Sequence, residues 1–416
     1  MSRYGGDARK IERPGTGRSG SGRSGGEALG SEAPGRERPG CPVQRADDGT
    51  WQVSGHAAAR AVLRSEATVQ AGLGVETVEK LPAKVRRPVL YRDGPEHRED
   101  RRQTARFFTP RRVDERYRGL MAEVADRQLA KLRAAGEAQL SELSFGMAIE
   151  VASAIIGLTS SRPGIRERLE RFFPEKYGKP GLTSLHGIYW TIRQNVNWLR
   201  VYLADVRPAI RDHRREPRDD LISHLLDDGC SSAEVLGECL TFAAAGMVTT
   251  REFICVAAWH LFTDDELRAR YRAADEPGRL AVLHEIVRLE PVVSRLRRRT
   301  TAAIELPGAD GPVTVPAGAL VEVLVDAANT DPDAVGEEPL AVRPGRALGE
   351  GAGAAALAFG DGPHKCPGSG IAILETDVFL TRLLAMEGVR MAAAPRVTFN
   401  NDIGGYEIRG LVVAVS

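Results

Sequence analysis

The longest helical pattern in this sequence constrains the fold more than any other feature. It begins at Ser232 or Ala233 and continues to about Phe262. Its centre, Leu240 to Ala258, is too apolar for a helix that rests on a surface, because such a helix keeps a polar face toward solvent. We therefore expect a long central helix that is buried on most sides.

Helical patterns dominate the chain up to Pro291, and strand-like texture follows. We predict helices over 56–64, 96–108, 112–134, 140–158, 162–173, 187–215, 219–228, 264–273, 277–290 and 370–386. We predict strands at 51–53, within 300–325 and around 404–405, an irregular segment over 66–92, and a long Gly/Ala-rich loop over 345–368. No alternating strand–helix pattern supports a doubly wound sheet. The predicted fold class is mainly α with a minor β-rich portion.

Charge and cysteine content exclude several functional classes. Lys plus Arg number 57 and Asp plus Glu number 56, so neither nucleic acid nor an anionic membrane is expected as the main partner. The five cysteines are scattered without a CxxC pair, which argues against a disulfide framework or a structural zinc site and favours the cytoplasm. No apolar run of about 18 residues or secretory h-region is apparent, so no membrane span is predicted.

The first 40 residues differ in composition from the rest. They are dominated by Gly, Arg, Ser, Glu and Pro, which bury too little apolar surface to offset the entropy of ordering the chain. We predict a disordered tail over 1–40 and a single domain over 41–416.

The stretch from Phe359 to Gly368, FGDGPHKCPG, carries the clearest chemical signal. Cys366 lies in a Gly-rich loop just before a predicted helix, where backbone N–H groups and the helix N-terminus favour a thiolate. A thiolate held in this way is a good axial ligand for haem iron. A lone cysteine is otherwise most often a buried, unreactive side chain, so the surrounding loop decides between the two interpretations.

This loop resembles the haem-binding signature of the cytochrome P450 superfamily, Phe-x-x-Gly-x-x-x-Cys-x-Gly. Phe359, Gly362, Cys366 and Gly368 fill its positions, and Gly360 lies within it. The resemblance implies a mostly helical fold in which haem b lies between the central helix and the cysteine loop. Cys366 would then be the metal ligand.

A second matching motif lies on the helix that precedes the strand region. Glu285 and Arg288 match the family's Glu-x-x-Arg, and residues at i and i+3 share one helix face. By resemblance, their bidentate ion pair fixes the loop that carries the cysteine. The motif alone occurs by chance on any charged helix, and its position upstream of the loop gives it weight.

Four cationic side chains match residues that bind haem propionates in the family. His97 and Arg101 fit its His-x-x-x-Arg, Arg298 lies in the arginine run 295–299, and His364 lies in the cysteine loop. Buried propionates need such cations. A solvated basic helix face is the alternative interpretation for the arginines near His97.

The family's central helix carries Ala-Gly-x-(Asp/Glu)-Thr-Thr, and this chain departs from that pattern at one position. Ala245, Gly246, Thr249 and Thr250 match, but Val248 replaces the acid. By resemblance, the small residues open room for dioxygen and the Thr249 hydroxyl hydrogen-bonds the bound oxygen. Valine cannot relay a proton.

Three interpretations of Val248 stay open. In the first, another group is the proton source, for which Glu252, ordered water and a substrate hydroxyl are candidates. In the second, the enzyme catalyses radical coupling or ring formation, which depends less on the relay. In the third, peroxide replaces dioxygen, although Thr249 and Thr250 speak against it. Glu252 could equally be a polar residue on the outer face of the helix.

Several segments are predicted to line the substrate pocket. Val248, Val292, Val293, Leu296 and Tyr406 are the candidate residues. An aromatic concentration over 172–202 is either a lid over an apolar substrate or the packing between two long helices. Its members are Phe172, Phe173, Tyr177, Tyr189, Trp190, Trp198 and Tyr202.

The leading functional hypothesis is a bacterial-type monooxygenase that oxidises a small molecule, with secondary metabolism as the favoured context. No flavin or nucleotide fingerprint occurs, so a separate ferredoxin and NAD(P)H-dependent reductase would supply electrons. The alternative is oxidative coupling or cyclisation of an aromatic peptide or cyclic dipeptide without oxygen insertion. A haem-bound recruitment module without turnover is the non-enzyme alternative, supported only by Val248.

Overall fold

The computed structural model describes residues 41–416 except 73, 79–85, 173–177, 179–180, 182 and 402. The tail over 1–40 lies outside the described residues, so its disorder stays a prediction. Phe173 and Tyr177 of the aromatic concentration lie outside them as well.

Helices form most of the described chain. Up to residue 227 they are α1 (His56–Arg64), α2 (Val75–Val78), α3 (Gly94–Thr104), α4 (Pro110–Arg112), α5 (Arg118–Ala135), α6 (Leu140–Ile156), α7 (Ile165–Phe172), α8 (Leu185–Val201), α9 (Arg207–Arg215) and α10 (Leu221–Asp227). The later helices are α11 (Ser232–Ala243), α12 (Thr249–Thr263), α13 (Asp265–Ala273), α14 (Glu276–Leu289), α15 (Val325–Ala328), α16 (Pro332–Val335) and α17 (Ser369–Leu384).

Single π-helical turns join three pairs of these helices. They span Val113–Tyr117 between α4 and α5, Tyr202–Val206 between α8 and α9, and Ala244–Val248 between α11 and α12. Each pair therefore runs on as one long helix, as the sequence patterns predicted. Such turns insert an extra residue and shift the helix face, which makes them frequent at functional sites.

The central helix, α11 with α12, is at the middle of the core. It starts with a capping box, in which Ser231 and Glu234 satisfy each other's backbone N–H groups. Helix α12 packs against α6 and α17, and α5 packs against α6 and α17 in turn. The span Ser232–Thr263 is long and apolar enough to cross a membrane, but more than half of its most apolar stretch is buried inside the fold, as expected of a core helix.

The strands form small sheets at the edge of the helical body. They are β1 (Val43–Arg45), β2 (Trp51–Val53), β3 (Thr68–Ala71), β4 (Glu137–Gln139), β5 (Arg295–Thr300), β6 (Ile304–Gly308), β7 (Gly311–Val315), β8 (Leu320–Leu324), β9 (Arg390–Ala393), β10 (Arg396–Asn400), β11 (Gly405–Arg409) and β12 (Val412–Ala414). The largest sheet has the order β1-β2-β8-β5-β3, in which only β2 and β8 are parallel. Strands β10 and β11 form a hairpin.

The mainly α prediction with a minor β-rich portion is confirmed, and two local predictions need correction. The segment 66–92 is not wholly irregular, because β3 pairs with β5 from Thr68 opposite Thr300 to Ala71 opposite Arg297. Strand β5 also begins at Arg295, ahead of the predicted strand region, so the arginine run is itself a strand. Both strands are stabilised by partners far away in the chain, which a local pattern does not show.

Candidate active site

The cysteine loop is held by its own backbone. The Cys366 N–H donates to the Phe359 carbonyl at 2.8 Å, and the Lys365 N–H donates to Gly362 at 3.1 Å. Gly362 has φ +66°, and a Cβ there would lie 2.4 Å from the Leu63 carbonyl oxygen of α1. Glycine is therefore required at this position, both by the backbone conformation and by the close approach of α1.

Cys366 is accessible to solvent, although many protein atoms surround its thiol. Burial raises the pKa of its thiol, although the Gly368 backbone N–H and the positive charge of Arg101 act to lower it. A coordinated metal ion would reverse this preference, since a ligating thiol is deprotonated outright. Residues 369–384 follow as α17, so the thiol lies beside a helix N-terminus.

An ion-pair cluster fastens the loop to α1. Asp361 accepts hydrogen bonds from Arg60 Nε at 3.0 Å and from Arg64 Nε at 2.8 Å. Partial burial opposes ionisation, but these bonds and the Gly362 N–H lower the pKa of Asp361 to about 2. The carboxylate is therefore a fixed negative charge at ordinary pH.

The Glu285–Arg288 pair forms a buried junction beneath the long loop. Arg288 donates two hydrogen bonds to the two carboxylate oxygens of Glu285, at 2.8 and 3.0 Å, and is itself fully buried. Its remaining N–H groups donate to the carbonyls of Asn329, Pro339 and Ala341. The guanidinium thereby ties α14 to the segment that leads into the cysteine loop.

Glu285 extends the same junction. Its Oε2 also accepts from the Arg343 N–H and from Arg346 Nε, each at 2.9 Å. Asn329 completes the link, because its side-chain oxygen accepts from the Leu357 N–H at 2.7 Å. The charge-assisted bonds of Glu285 and Arg288, together with the neutral Asn329–Leu357 bond, thus hold the backbone just ahead of Phe359.

The four predicted propionate-binding cations converge at one place. The rings of His97 and His364 stack with centroids 4.1 Å apart. Arg101 Nη2 donates to the Lys365 carbonyl of the cysteine loop. Arg298, on β5, is nearly fully buried, and desolvation lowers its pKa to about 10 against the charge of Asp93.

The histidine pair is electrostatically crowded. Burial, followed by the charges of His364 and Arg101, lowers the pKa of His97 to about 4. His97 Nδ1 is buried without a hydrogen-bond partner among the described residues. The ring is therefore neutral at physiological pH in this state, with one nitrogen available for a ligand.

Asp93 belongs to this cluster, and sequence reasoning missed it. Its Oδ1 lies 2.8 Å from His364 Nε2, and its Oδ2 accepts from the Gln70 N–H of β3 at 3.1 Å. Although burial opposes the shift, these bonds lower the pKa of Asp93. Its position just before the Gly94–Pro95 helix start is a typical N-cap signal that could have drawn attention to it.

The cluster fits a ligand that carries carboxylates beside a metal. Asp93 is the only carboxylate that contacts these cations within the described chain, and Arg298 forms no salt bridge there. The two propionates of haem b would supply the missing negative charge. The accessible Cys366 thiol nearby supplies the axial donor type that haem iron accepts.

The central helix carries the residues that the family resemblance places across from the cysteine loop. The π-helical turn Ala244–Val248 widens the helix at Ala245 and Gly246. The Thr249 hydroxyl donates to the Ala245 carbonyl at 2.6 Å. Ala245 is exposed and Val248 and Thr249 are half-buried, whereas Thr250 is buried. Thr249 therefore lies nearer to open space than Thr250.

Glu252 is one of the candidate proton sources that the sequence left open, and both of its carboxylate oxygens accept hydrogen bonds from other residues. Its Oε1 accepts from Arg251 at 2.8 Å and from Arg409 at 2.7 Å, and its Oε2 accepts from the Ile408 N–H at 2.8 Å. The side chain is almost fully buried. A carboxylate whose oxygens are both engaged by cations and an amide holds α12 to β11 and is a poor proton donor.

The predicted pocket residues divide into two groups. Leu296 lies beside the cysteine loop, since a Cβ on Gly360 would be 3.8 Å from it. Val292 and Tyr406 instead line a small cavity against α12, together with Glu252, Val256, Trp259, Glu290, Val397 and Ile408. Val293 bridges to Gly405 of the hairpin. The hairpin therefore packs on the segment that follows Pro291.

The aromatic concentration is partly packing and partly surface. Phe172 of α7 meets Trp198 of α8 edge to face at 5.5 Å, and Arg193 lies over the Trp190 ring at 4.7 Å. Tyr189 is mostly exposed. Among the described rings, packing between α7 and α8 accounts for the Phe172–Trp198 pair.

A second feature that the sequence did not reveal fixes residues 86–89 to the central helix. Glu234 accepts from the Arg86 N–H at 2.8 Å, and Glu238 accepts from the Val89 N–H at 2.9 Å. Glu238 is buried, and its Oε2 has no partner among the described residues. Burial raises the pKa of Glu238 to about 7, although the charge of Arg92 and the Val89 N–H act to lower it.

Comparison with known proteins agrees with this geometry. The cytochrome P450 family model matches residues 280–386. Erythromycin C-12 hydroxylase of Saccharopolyspora erythraea is 30% identical over 370 residues, covering 83% of this chain and 84% of the relative. Pentalenic acid synthase of Streptomyces avermitilis is 28% identical over 380 residues, covering 85% and 86%.

Among solved structures, a mutant of P450 EryK in complex with erythromycin B has a similar fold. The TM-score is 0.69 at 26% identity, with 90% of this chain and 93% of that chain covered. The two relatives and the solved structure each match more than four fifths of this chain. The chain belongs to the cytochrome P450 superfamily and is a monooxygenase of that family.

Proposed function

We propose that this chain binds haem b through Cys366 and inserts one oxygen atom of O2 into a large, mainly apolar secondary metabolite. The convergence of two arginines and two histidines beside an accessible cysteine thiol is the observation that carries the proposal. Among the described residues, Arg298 is buried without a carboxylate bound to it, and His97 Nδ1 is buried without a hydrogen-bond partner. When bound, haem with a thiolate ligand supplies activation of O2.

The residues of this chain have distinct roles in the proposal. Cys366 donates the thiolate, and His97, Arg101, Arg298 and His364 bind the propionates. Phe359, Gly360 and Gly368 shape the loop at the cysteine, and Ala245 and Gly246 leave room on the opposite side. The Glu285–Arg288 pair acts at a distance by holding the loop.

Proton delivery distinguishes this chain from the family pattern. With Val248 in place of the acid and Glu252 bound to Arg251 and Arg409, no carboxylate in the described part of α12 is available beside Thr249. We propose that ordered water or a substrate hydroxyl passes protons to the Thr249 hydroxyl. Thr250, which is buried beside it, supports the helix at this turn.

The substrate class rests on the lining and on the relatives. The predicted pocket residues Val248, Val293 and Leu296 are apolar, and Leu296 lies beside Gly360 of the cysteine loop. The relative from Saccharopolyspora erythraea is named for hydroxylation of erythromycin at C-12. Electrons would come from NAD(P)H through a separate reductase and ferredoxin, in the cytoplasm.

Oxidative coupling or cyclisation of an aromatic peptide or cyclic dipeptide is the second candidate. Val248 favours it, because coupling by hydrogen abstraction depends less on proton relay than oxygen insertion does. The two candidates differ in product mass: oxygen insertion adds one oxygen atom, whereas coupling removes two hydrogens.

The experiment starts with purified ferric holoprotein titrated against macrolides, terpenoids, fatty acids, indoles, cyclic dipeptides and aromatic peptides. A saturable Soret shift names the ligand class, and turnover with surrogate ferredoxin and reductase then gives the product mass. We expect a shift with an apolar metabolite and a gain of one oxygen atom. Loss of hydrogen without oxygen would instead establish coupling, and Thr249→Ala is the matched control for productive oxygen use.

A further inference from the structure

A continuous apolar stripe runs along the exposed side of α8 and the turn after it. Its residues are spaced four and three apart, which places them on one helix face. They are Leu185, Tyr189, Ile192, Val196, Leu199 and Leu203. Leu185 is 88% exposed and Ile192 is 59% exposed. Outside this helix, Leu340 is the only large hydrophobic side chain among the described residues that is exposed to this degree.

We propose that this stripe is the interface of a homodimer, in which α8 packs antiparallel against α8 of a second copy. The inference concerns assembly and does not depend on the proposed reaction. A two-fold axis between Ile192 and Val196 brings Leu185 opposite Leu203, Tyr189 opposite Leu199, and Ile192 opposite Val196. Each apolar side chain then meets another, as a self-complementary interface requires.

The alternating spacing of four and three also suits helix pairing. It is the spacing of a coiled-coil seam, in which side chains of one helix fill the gaps of the other. The stripe extends over about 27 Å, since each helical residue rises about 1.5 Å. A seam of this length has about five helical turns to contribute on each copy.

Charge does not oppose this pairing. Arg193 and Arg200 are the only arginine, lysine or acidic residues between 185 and 203. Arg193 is directed toward its own chain, where it donates to the Arg171 carbonyl at 2.8 Å. The two copies of Arg200 would lie about 18 Å apart along the seam, so their repulsion is weak.

The exposed area is in the range that a dimer needs. Because a fully exposed side chain of this size presents on the order of 150–200 Å², the six exposed fractions amount to about 600 Å² per copy. Complete burial of these residues on both copies would remove about 1,200 Å² in total, the lower end for a specific interface. Flanking side chains such as Asn195 and Arg200 would add to it.

Two other occupants fit less well. The tail over 1–40 contains only Met1, Tyr4, Ile11 and Leu29 as large apolar residues, too few to cover the stripe. A membrane surface suits helices whose cations lie opposite the apolar face. Here the exposed Arg207 and Arg211 follow the stripe along the helix, on about the same side.

The first test is the mass of full-length, haem-loaded protein by sedimentation equilibrium and light scattering. We expect a dimer with a dissociation constant of about 1 μM or lower. Protein that stays monomeric at ~100 μM would overturn the proposal, and co-sedimentation of such monomers with anionic vesicles would identify a membrane as the occupant.

Substitutions then locate the interface. Ile192→Glu should weaken the dimer at least ~10-fold by placing a carboxylate at the apolar centre. Leu340→Glu is the matched control, because it adds the same charge at an exposed leucine away from α8, and it should leave the dimer intact. An unchanged dimer in Ile192→Glu would overturn the proposal. A normal haem spectrum in each variant shows that the fold is preserved.

The antiparallel register has a separate test. Val196→Lys alone should also weaken the dimer, whereas Ile192→Glu combined with Val196→Lys should restore most of the affinity. In the double variant the introduced carboxylate of each copy faces the introduced ammonium of the other copy, and symmetry produces this ion pair twice. A double variant as monomeric as the single variants would contradict this register.

Discussion

The cysteine loop and the α8 surface are held in place by opposite means. Around the loop, buried charges are paired, and Arg288 alone makes two bonds to Glu285 and three to backbone carbonyls. On the α8 side, Arg193 bonds to one carbonyl and a neighbouring ring, and the helix exposes apolar side chains.

This difference shows where the chain concentrates its specific interactions. A site that must hold a rigid group needs many mutually dependent bonds, because a small displacement of the ligand atom changes its chemistry. A surface that meets a substrate or another chain needs shape and apolar area instead. The first region should therefore respond strongly to single substitutions and the second weakly.

Removing the guanidinium at Arg288 should give the largest effect. Arg288→Ala leaves Glu285 as a buried charge without its main partner, which costs ~3–5 kcal/mol in the free energy of unfolding. Arg193→Ala, the same change on the α8 side, should cost less than ~1 kcal/mol. Denaturant unfolding and haem content measure both. Equal losses of unfolding free energy in Arg288→Ala and Arg193→Ala would contradict the difference between the two regions.

Glu238 should make stability depend on pH near neutrality. Its pKa is about 7 in the folded state against an ordinary value of 4.5, so the folded state binds the extra proton between these values. Stability should therefore fall as pH rises from 4.5 to about 7, by about 2–3 kcal/mol. Glu238→Gln should remove this fall.

Glu234→Gln is the control for that experiment, since Glu234 also accepts a backbone N–H from the 86–89 segment. Despite opposition from burial, hydrogen bonds lower the pKa of Glu234 from its ordinary value of 4.5. The contribution of Glu234 to stability is lost only as pH falls below that value. Between about pH 5 and 8 the stability of Glu234→Gln should therefore change by as much as that of the unmodified chain. A similar flattening in both variants would refute the assignment to Glu238.

Restoring the acid at position 248 should change catalysis more than stability. Val248→Asp places a proton donor one residue before Thr249, and we expect ~10-fold better coupling of electrons to product if oxygen insertion is the reaction. Hydrogen peroxide release per product molecule is the measurement. Val248→Asn, which matches the shape without the charge, should stay near the original value; equal effects would exclude proton delivery as the cause.

Asp361→Asn should give the smallest effect. Its partner Arg64 is more than half exposed, so the pair contributes about 1 kcal/mol or less. The pKa of Asp361 is lowered from 3.8 to about 2, so its contribution is present above pH 3.8 and is lost as pH falls towards 2. Acid unfolding curves of the two proteins should converge there and differ slightly at about pH 7. A large loss at neutral pH would show that the loop depends on this pair.

The sequence predicted features whose signals are local. The phenylalanine, glycines and cysteine of the loop lie close together in the chain, and Glu285 and Arg288 share one turn, so each pattern is complete without the fold. Helix positions were also predictable, because apolar periodicity is a local property.

The remaining features depend on partners that are far apart in the chain. Asp93 meets His364 across 271 positions, and Glu252 meets Arg409 across 157. Nothing near Glu252 in the sequence shows that its oxygens are occupied. Its role as a proton source stays a prediction that these contacts disfavour, because a candidate acid depends on its surroundings as much as on its position.

The axial thiolate is the central claim, and the spectrum of the ferrous carbon monoxide complex tests it most directly. Purified holoprotein should show the strongly red-shifted Soret band of a thiolate-ligated haem, and Cys366→His should bind haem without that band. A red-shifted band that persists in Cys366→His, or its absence from the unmodified holoprotein, would contradict the account.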